Sequence, residues 1–221
     1  LDGRPFAPRS PLEAQHGGIS TIYQEVNLIP HLSVAENIFL GRQPGHSAWI
    51  DWKTTHRRAE DILAGFGLRL DVRRSLASFP VAIQQMVAIA RAVDISAKLL
   101  IMDEPTSSLD ESEVACLFET IRALKSTGVG VLFITHFLDQ AYAITDRMTV
   151  LRNGRRVGVF ETAALPRLEL IGHMLGKDPA AVAALEQDKA SAAAVAGKTF
   201  LQVNGLGRRG SVEPFDLCVG E

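Results

Sequence analysis

Short apolar runs that end in polar residues alternate with an amphipathic segment in the middle of the chain. Residues 98–102 are mainly apolar and lead to Asp103 and Glu104, and residues 129–134 form a second apolar run that leads to His136. Runs of this length predict buried parallel strands. Between them, apolar residues recur with the three-to-four spacing of a helix. These residues are Val114, Leu117, Phe118, Ile121 and Leu124. The pattern predicts a βαβ unit in a mostly parallel sheet with helices on its faces.

The flanking segments predict other kinds of structure. Residues 32–93 have a mainly helical pattern, and Asp110 or Ser112 is expected to cap the helix between the two strands. Asn153 and Gly154 lie between two apolar runs, which is a strong signal for a β-hairpin. In a parallel sheet the chemistry lies just beyond the carboxyl ends of the strands, so attention falls on the acidic residues and the histidine there.

Composition limits the class of protein. The chain has 221 residues, of which 47% are hydrophobic, which suffices for a buried core. No uninterrupted apolar run reaches the roughly 18 to 20 residues of a membrane span, and the first residues lack the apolar core of a secretion signal. A net charge of −2 disfavours general binding of nucleic acid. Cys116 and Cys218 form no metal or disulfide pattern. We therefore expect a soluble cytoplasmic protein, associated with a membrane only through a partner.

The strongest chemical signal follows the first predicted strand. Leu-Leu-Ile-Met-Asp-Glu at 99–104 continues as Pro-Thr-Ser-Ser-Leu-Asp at 105–110. A carboxylate at the tip of a buried strand can hold Mg²⁺ through water, because this ion prefers oxygen ligands and keeps much of its hydration. A second carboxylate beside it can orient and polarise a water that attacks a γ-phosphate. An acidic pair alone is common at strand ends, but the attached string is specific.

This string resembles the Walker B and D-loop segment of ABC ATPases, and three other segments follow the order of that family. Ile-Tyr-Gln-Glu at 22–25 resembles the Q-loop, and Ile-Thr-His at 134–136 resembles the switch-histidine segment. Residues 84–92 resemble the helix that follows the signature motif. Each segment alone is ordinary, since a loop glutamine is usually solvated and a strand-end histidine is usually structural. Taken together in this order, they identify the chain as a member of the ABC ATPases.

The resemblance implies a fold and a division of the chain. The fold is the α/β, P-loop NTPase-like ABC ATPase domain, with a mostly parallel sheet, flanking helices, a helical subdomain at about 25–95 and a β-hairpin. Residues 1–177 are expected to form a first ABC ATPase domain, truncated at its N-terminus. Residues 178–199 form an Ala-rich linker, and residues 200–221 begin a second ABC ATPase domain.

The same resemblance implies the roles of individual residues, with ATP and Mg²⁺ as cofactors. Glu104, His136 and Gln24 are the expected catalytic residues, and Asp103 and Gln24 are the expected contacts of Mg²⁺. The expected nucleotide contacts are Asp103, Gln24, Asp110 and Ser108.

Two motifs of the family are missing or altered. The only trace of a phosphate-binding loop is Gly197-Lys198-Thr199, where Ala192 replaces the first glycine, and we interpret it as a chance occurrence. Both loops of a two-half protein are therefore expected outside these residues. The signature motif, usually close to Leu-Ser-Gly-Gly-Gln, is replaced at 79–83 by Phe-Pro-Val-Ala-Ile. Pro80 has neither a hydroxyl nor a backbone N–H for a phosphate, although it suits the start of a helix. This motif is expected to serve a weak or inactive site.

The segment at 32–42 resembles the sugar-import branch, whose members carry two ATPase halves on one chain and resemble ribose, galactose, xylose or galactofuranose importers. The implied partners are membrane permease subunits, a periplasmic sugar-binding protein indirectly, and a second ATPase half of the same chain or a second copy. No nucleic-acid partner is expected, and the location is the cytoplasmic face of the cell membrane through the permease. Two alternatives stay open. One is a catalytically incompetent fragment that only docks or dimerises; the other is a soluble ABC ATPase that acts on nucleic acid or the ribosome.

Overall fold

The structure is a computed structural model that describes residues 1–23, 27–46, 49–95, 97–178, 199–208 and 212–220. Within these residues the helices are α1 (Pro11–His16), α2 (Val34–Ile38), α3 (Trp52–Ala64), α4 (Val81–Asp94), α5 (Glu111–Ser126), α6 (Leu138–Ile144) and α7 (Arg167–Leu175). The strands are β1 (Ile19–Ile22), β2 (Gly45–His46), β3 (Trp49–Ile50), β4 (Leu99–Asp103), β5 (Gly130–Ile134), β6 (Arg147–Arg152), β7 (Arg155–Glu161), β8 (Thr199–Arg208) and β9 (Val212–Gly220). The chain forms two compact units, Leu1–Thr145 and Asp146–Glu221.

The first unit contains a parallel sheet in the order β1-β4-β5. Strand β4 is its middle strand, and Leu100 and Met102 are almost completely buried. They belong to a core with the apolar faces of α4 and α5, including Ile89 and Leu117. Successive residues of β4 point to opposite faces of the sheet, and both faces are covered. This explains why β4 is apolar up to its last residue. The predicted βαβ unit is therefore confirmed, with each strand displaced by one residue at its start.

Helix α5 begins where the sequence predicts a cap. Asp110 is the N-cap: its Oδ1 accepts the N–H of Glu113 at 2.9 Å, and Glu113 Oε2 accepts the N–H of Asp110 at 3.0 Å. This reciprocal pair satisfies two backbone donors that the first helical turn leaves without partners. Of the two predicted caps, Asp110 is therefore correct, and Ser112 instead donates its hydroxyl to Asp110.

A second core holds the helical region between β1 and β4. It joins the buried faces of α2, α3 and α4, and includes Phe39, Leu63 and Val87. The prediction of a mainly helical stretch is confirmed for these helices and wrong at 45–50, where β2 and β3 form a short antiparallel hairpin. Gly45 allows this because a Cβ at that position would collide with the carbonyl oxygen of Trp49. Pro80 precedes helix α4 as its N-cap, one position earlier than the first-turn position expected.

Asn37 fastens the chain that leads into α2. Its side chain is fully buried; Oδ1 accepts the N–H of Ile29 at 2.7 Å, and Nδ2 donates to the carbonyls of Ile29 and Ser33 at 3.0 Å each. A buried amide with this many backbone partners holds an irregular segment in one conformation, and the N–H of Ile29 depends on it for its hydrogen bond. The segment that Asn37 holds, residues 29–33, comes directly after residues 27 and 28 in the chain.

The described residues of the second unit contain two hairpins and the helix α7. Strands β6 and β7 are joined by Asn153 and Gly154, with φ angles of 51° and 72°. Two successive positive φ angles are those of a type I′ turn, so the predicted hairpin is confirmed. The terminal strands β8 and β9 pair antiparallel with each other. Most of the predicted linker, 179–198, lies outside the described residues, and the predicted domain boundaries stay a prediction.

Replacing Asn37 with Ala should lower the free energy of unfolding by about 1–2 kcal/mol, because it leaves the backbone N–H of Ile29 without its partner and removes the bonds from Nδ2 to the carbonyls of Ile29 and Ser33. Urea denaturation of the purified chain measures this change. Asn27→Ala is the matched control, because Asn27 is exposed, and it should change stability by less than about 0.5 kcal/mol. Equal stability of the two variants would show that the Asn37 contacts do not hold this segment.

Candidate functional site

The predicted acidic residues and histidine lie together at one edge of the sheet. Parallel pairing sets Asp103, the last residue of β4, level with Ile134, the last residue of β5. The next residue, Glu104, extends the pairing by donating its backbone N–H to the carbonyl of Ile134 at 2.9 Å. His136 follows Ile134 by two residues. The register thus brings the ends of two predicted motifs to one place, where ligands bind in sheets of this kind.

Glu104 and His136 are in direct contact. His136 Nδ1 lies 3.0 Å from Glu104 Oε1. The side chains are 58% and 31% exposed, so the pair is open to a ligand from solvent while the carboxylate is partly covered. In the tautomer with its proton on Nδ1, the imidazole donates to the carboxylate and restricts its orientation. Two of the three predicted catalytic side chains are therefore adjacent.

The backbone at Glu104 has an unusual conformation. Its φ is +45°, in the left-handed region that residues other than glycine seldom adopt. The chain turns there, and Ser107 N–H donates to the Glu104 carbonyl at 3.2 Å to close the turn. Strained residues are held in place only when their surroundings determine them, and they concentrate at functional sites. No glycine or asparagine in the sequence signals this turn.

A buried hydroxyl ties the acidic loop to the element that follows the histidine. Thr106 is 3% exposed, and its Oγ1 donates to Oε1 of Gln140 at 2.6 Å. Gln140 belongs to α6, which begins two residues after His136. This bond therefore connects the loop after Glu104 with the helix after His136. Neither residue was predicted from the sequence. The only signal that could have identified Thr106 is that it belongs to the Pro-Thr-Ser-Ser-Leu-Asp string.

Two predicted nucleotide contacts lie further along this loop. Ser108 is exposed, and Asp110 is the exposed N-cap of α5. Hydrogen bonds from the Glu113 N–H and the Ser112 hydroxyl hold the pKa of Asp110 below its ordinary value. Its observed contacts are those of a helix cap, so a contact with nucleotide stays a prediction for both residues.

Gln24 lies outside the described residues, but the residues on both sides of it line a cleft of about 140 Å³ between β1 and α4. Tyr23 and Asn27 are among them, and Arg91 of α4 reaches the same cleft. Burial, and secondarily the charge of Arg42, lowers the pKa of Arg91. From the sequence, Arg91 was interpreted only as part of a helical segment. The signal that could have singled it out is a single cation among the alanines of an apolar helix.

The altered signature motif lies at the start of α4. Pro80 caps the helix without a side-chain hydrogen bond, and Val81 is 44% exposed there. Gln84 turns back to donate its Nε2 to the carbonyl of Phe79 at 2.9 Å. Residues 79–83 contain no hydroxyl group. The apolar side chain of Val81 lies at the N-terminal end of α4, which is the end that would approach a phosphate.

The donor set at the sheet edge suits a hard cation. Asp103 and Glu104 supply carboxylate oxygens, and within the described residues Asp103 has no ion-pair partner. In the same residues, no three His, Cys, Asp or Glu side chains come together as a metal site. Mg²⁺ is commonly held by one or two carboxylates, with water and phosphate oxygens as its other ligands, so the residues present fit this ion.

Comparison with known proteins agrees with this geometry. The family model described as ABC transporter matches residues 1–107. The galactofuranose transporter ATP-binding protein of Escherichia coli K12 is 46% identical over 219 residues, which are 99% of this chain and 43% of that protein. Over almost its whole length, the chain is similar to ATP-binding proteins of ABC transporters. The fructose import ATP-binding protein of Bifidobacterium longum is 48% identical over 221 residues, 99% of this chain and 43% of that protein.

Solved ABC structures share the fold. A nucleotide-free ATP-binding cassette from an ABC transporter superposes with a TM-score of 0.61 at 25% identity, covering 76% of this chain and 69% of that one. The predicted ABC ATPase fold and the predicted similarity to sugar-import ATP-binding proteins are confirmed. The chain spans less than half the length of the curated relatives it matches, 43% for the two above.

Replacing Thr106 with Val should lower the free energy of unfolding by about 1 kcal/mol, because the isosteric side chain cannot donate to Gln140. Thermal or urea unfolding measures the change. Ser107→Ala, one residue away and exposed, is the control and should be nearly neutral. A neutral Thr106→Val would mean that this hydrogen bond does not stabilise the loop.

Proposed function

We propose that the chain is the ATP-binding and ATP-hydrolysing part of a subunit that energises sugar import through a membrane permease. The observation that carries the proposal is the contact of Glu104 with His136, 3.0 Å apart at the carboxyl end of the sheet, with Asp103 adjacent in sequence. This arrangement suits attack of water on a terminal phosphate, and the names of the relatives supply the transport context.

Glu104 is proposed to orient and polarise the attacking water and to accept its proton. A general base must lie within hydrogen-bond reach of the proton it removes and be held in a defined direction. The turn at Glu104 and the bond to His136 provide that direction. A protonated His136 would donate from both ring nitrogens, one to Glu104 and the other to a phosphate oxygen, which would tie the catalytic carboxylate to the presence of a γ-phosphate.

Asp103 and Gln24 are proposed to hold Mg²⁺, with Asp103 acting through water. When bound, the ion would neutralise part of the negative charge of the phosphates. Asp103 ends a strand paired on both sides, so its position is set by the sheet and not by a loop. Ser108 and Asp110 are proposed to contact nucleotide from the loop before α5.

The altered signature at 79–83 is proposed to serve a weak or inactive site. In a two-half ATPase each signature motif acts on the nucleotide held by the other half. Glu104 and His136 would then belong to a competent site, whereas the motif that begins with Phe79 would face the impaired one. Closure of two halves around ATP and their opening after hydrolysis would be a rigid-body switch.

The proposed partners are the permease subunits, a periplasmic sugar-binding protein acting indirectly, and a second ATPase half or a second copy. The proposed location is the cytoplasmic face of the membrane. In the described part of the chain, no helix has the length and apolar character needed to cross a bilayer. We also propose the division into a first ATPase domain at 1–177, a linker at 178–199 and the start of a second ATPase domain at 200–221.

Replacing Glu104 with Gln should lower ATP turnover at least about a hundred-fold while nucleotide affinity is retained, because the amide keeps the shape of the side chain but cannot accept the proton. The experiment uses the complete gene product that contains this chain, reconstituted with its permease. Phosphate release measures turnover, and equilibrium binding of a fluorescent ATP analogue measures affinity.

Glu111→Gln is the matched control, since Glu111 is an exposed glutamate of the same segment at the start of α5. It should leave both quantities within about two-fold, because exposed substitutions of this kind are usually almost neutral. Normal turnover in the Glu104→Gln protein would remove Glu104 from the role of general base.

A further inference from the structure

The hairpin β2–β3 and the start of α3 expose a group of large apolar side chains. We define the tryptophan patch as Trp49, Ile50 and Trp52. Trp49 is 84% exposed, and Ile50 and Trp52 are each 42% exposed. Trp52 stacks on His56, with ring centroids 5.8 Å apart, and this contact fixes its ring against the helix. Large aromatic side chains are seldom left in water in a group unless the surface has a binding role.

Cations flank the tryptophan patch. Lys53 and Arg57 are exposed on the first turns of α3, and within the described residues neither takes part in a side-chain ion pair. The carboxylate nearest in sequence, Asp51, is the N-cap of α3 and accepts both the N–H and the hydroxyl of Thr54, at 3.0 and 2.7 Å. Its charge is therefore bound to the helix end, where it also offsets part of the charge of Arg57.

Acidic side chains are separated from the tryptophan patch along the helix. Glu60 and Asp61 lie eight and nine residues after Trp52, which places them about 12 Å further along the axis of α3. This distance is about one and a half Debye lengths at physiological ionic strength, so their charges are largely screened at the tryptophans, although Asp61 lies one helical turn from Arg57. Residues 49–57 carry two cations, Lys53 and Arg57, and one carboxylate, Asp51, whereas the whole chain has a net charge of −2.

This combination matches an anionic bilayer surface. Tryptophan is enriched at the level of lipid headgroups, because its ring is apolar and its indole N–H donates to a polar partner. Lysine and arginine beside it are attracted to anionic headgroups. Trp49 protrudes with most of its surface in water. To bind a preformed protein groove, it would need a partner of matching shape, which a lipid headgroup layer does not require.

We propose that the tryptophan patch inserts into the headgroup region of an anionic membrane, with Lys53 and Arg57 contacting lipid phosphates. The contact is shallow and reversible, because one hairpin and two cations supply limited area and charge. It goes beyond the proposed function by giving this chain a direct contact with lipid in addition to its proposed docking on a permease.

The two tryptophans of the sequence make the test specific, since both belong to the tryptophan patch. The purified chain is titrated with vesicles of phosphatidylcholine containing 40% phosphatidylglycerol (about that fraction gives a strongly anionic surface) and with pure phosphatidylcholine vesicles. The proposal predicts a blue shift of tryptophan emission with the anionic vesicles only, and its loss at about 1 M salt, where the Debye length is about 3 Å. Sedimentation with the vesicles measures partitioning independently.

Removing one cation by Lys53→Gln or Arg57→Gln should weaken partitioning about five-fold each, and Trp49→Ser should abolish it. The controls, Leu151→Ser and Arg155→Gln, remove a 69% exposed leucine and an exposed arginine from the hairpin β6–β7, and they should partition like the parent chain. Circular dichroism confirms that every variant is folded.

The proposal would be overturned by no blue shift with anionic vesicles, by an equal shift with both kinds of vesicle, or by a shift without vesicles that grows with protein concentration. The last would identify a second copy of the chain as the occupant. A shift that occurs only in vesicles containing the permease would identify that protein as the occupant and would also overturn direct lipid binding. ATP turnover is not measured in this test, so its outcome is separable from that of the proposed function.

Discussion

The pairing of β4 between β1 and β5 is the constraint on which the site depends. Because β4 has a parallel neighbour on each side and packs against α4 and α5, its residues cannot shift along the sheet without exposing Leu100 and Met102 or burying Asp103. That register sets the level at which the carboxylates leave the sheet. The contact between Glu104 and His136 is then a consequence of two strands ending side by side, with the backbone bond from Glu104 to Ile134 as the last rung of the ladder.

Around this fixed edge, the loops are held by few but well-placed side chains. Thr106 joins the acidic loop to α6, and Asp110 ends that loop as the cap of α5. In the helical region, the side chain of Asn37 holds the chain at 29–33 through hydrogen bonds with its backbone. Such contacts keep the proposed catalytic side chains in place while leaving them open to ligand, which general-base chemistry and phosphate binding both require. The functional surface is therefore built from loops whose ends are fastened to a rigid core.

The elements that repeat a pattern were predictable from sequence, and the contacts that depend on three-dimensional approach were not. Continuous apolar runs predicted β4 and β5, and Asn153-Gly154 predicted the hairpin, because period and turn chemistry are local. The short hairpin formed by β2 and β3 was missed, because strands of two residues show no periodic pattern. Their pairing also depends on the close approach of the Trp49 carbonyl oxygen to Gly45. The positive φ of Glu104 could not be predicted for a related reason. Strand pairing imposes this backbone conformation, which a glutamate does not favour locally. The roles of Glu104 and His136 were suggested by resemblance, and their adjacency came from the register.

The central claim is that Glu104 and His136 act as one unit in ATP hydrolysis, and a double-mutant cycle on turnover tests it most directly. ATP turnover by the complete gene product would be measured for Glu104→Gln, His136→Ala and the double variant, with nucleotide affinity determined for each. If the two side chains act together, the double variant should be no slower than the slower single variant, because either change already disables the unit. Losses that multiply in the double variant would show that the two residues contribute independently, and would contradict the account.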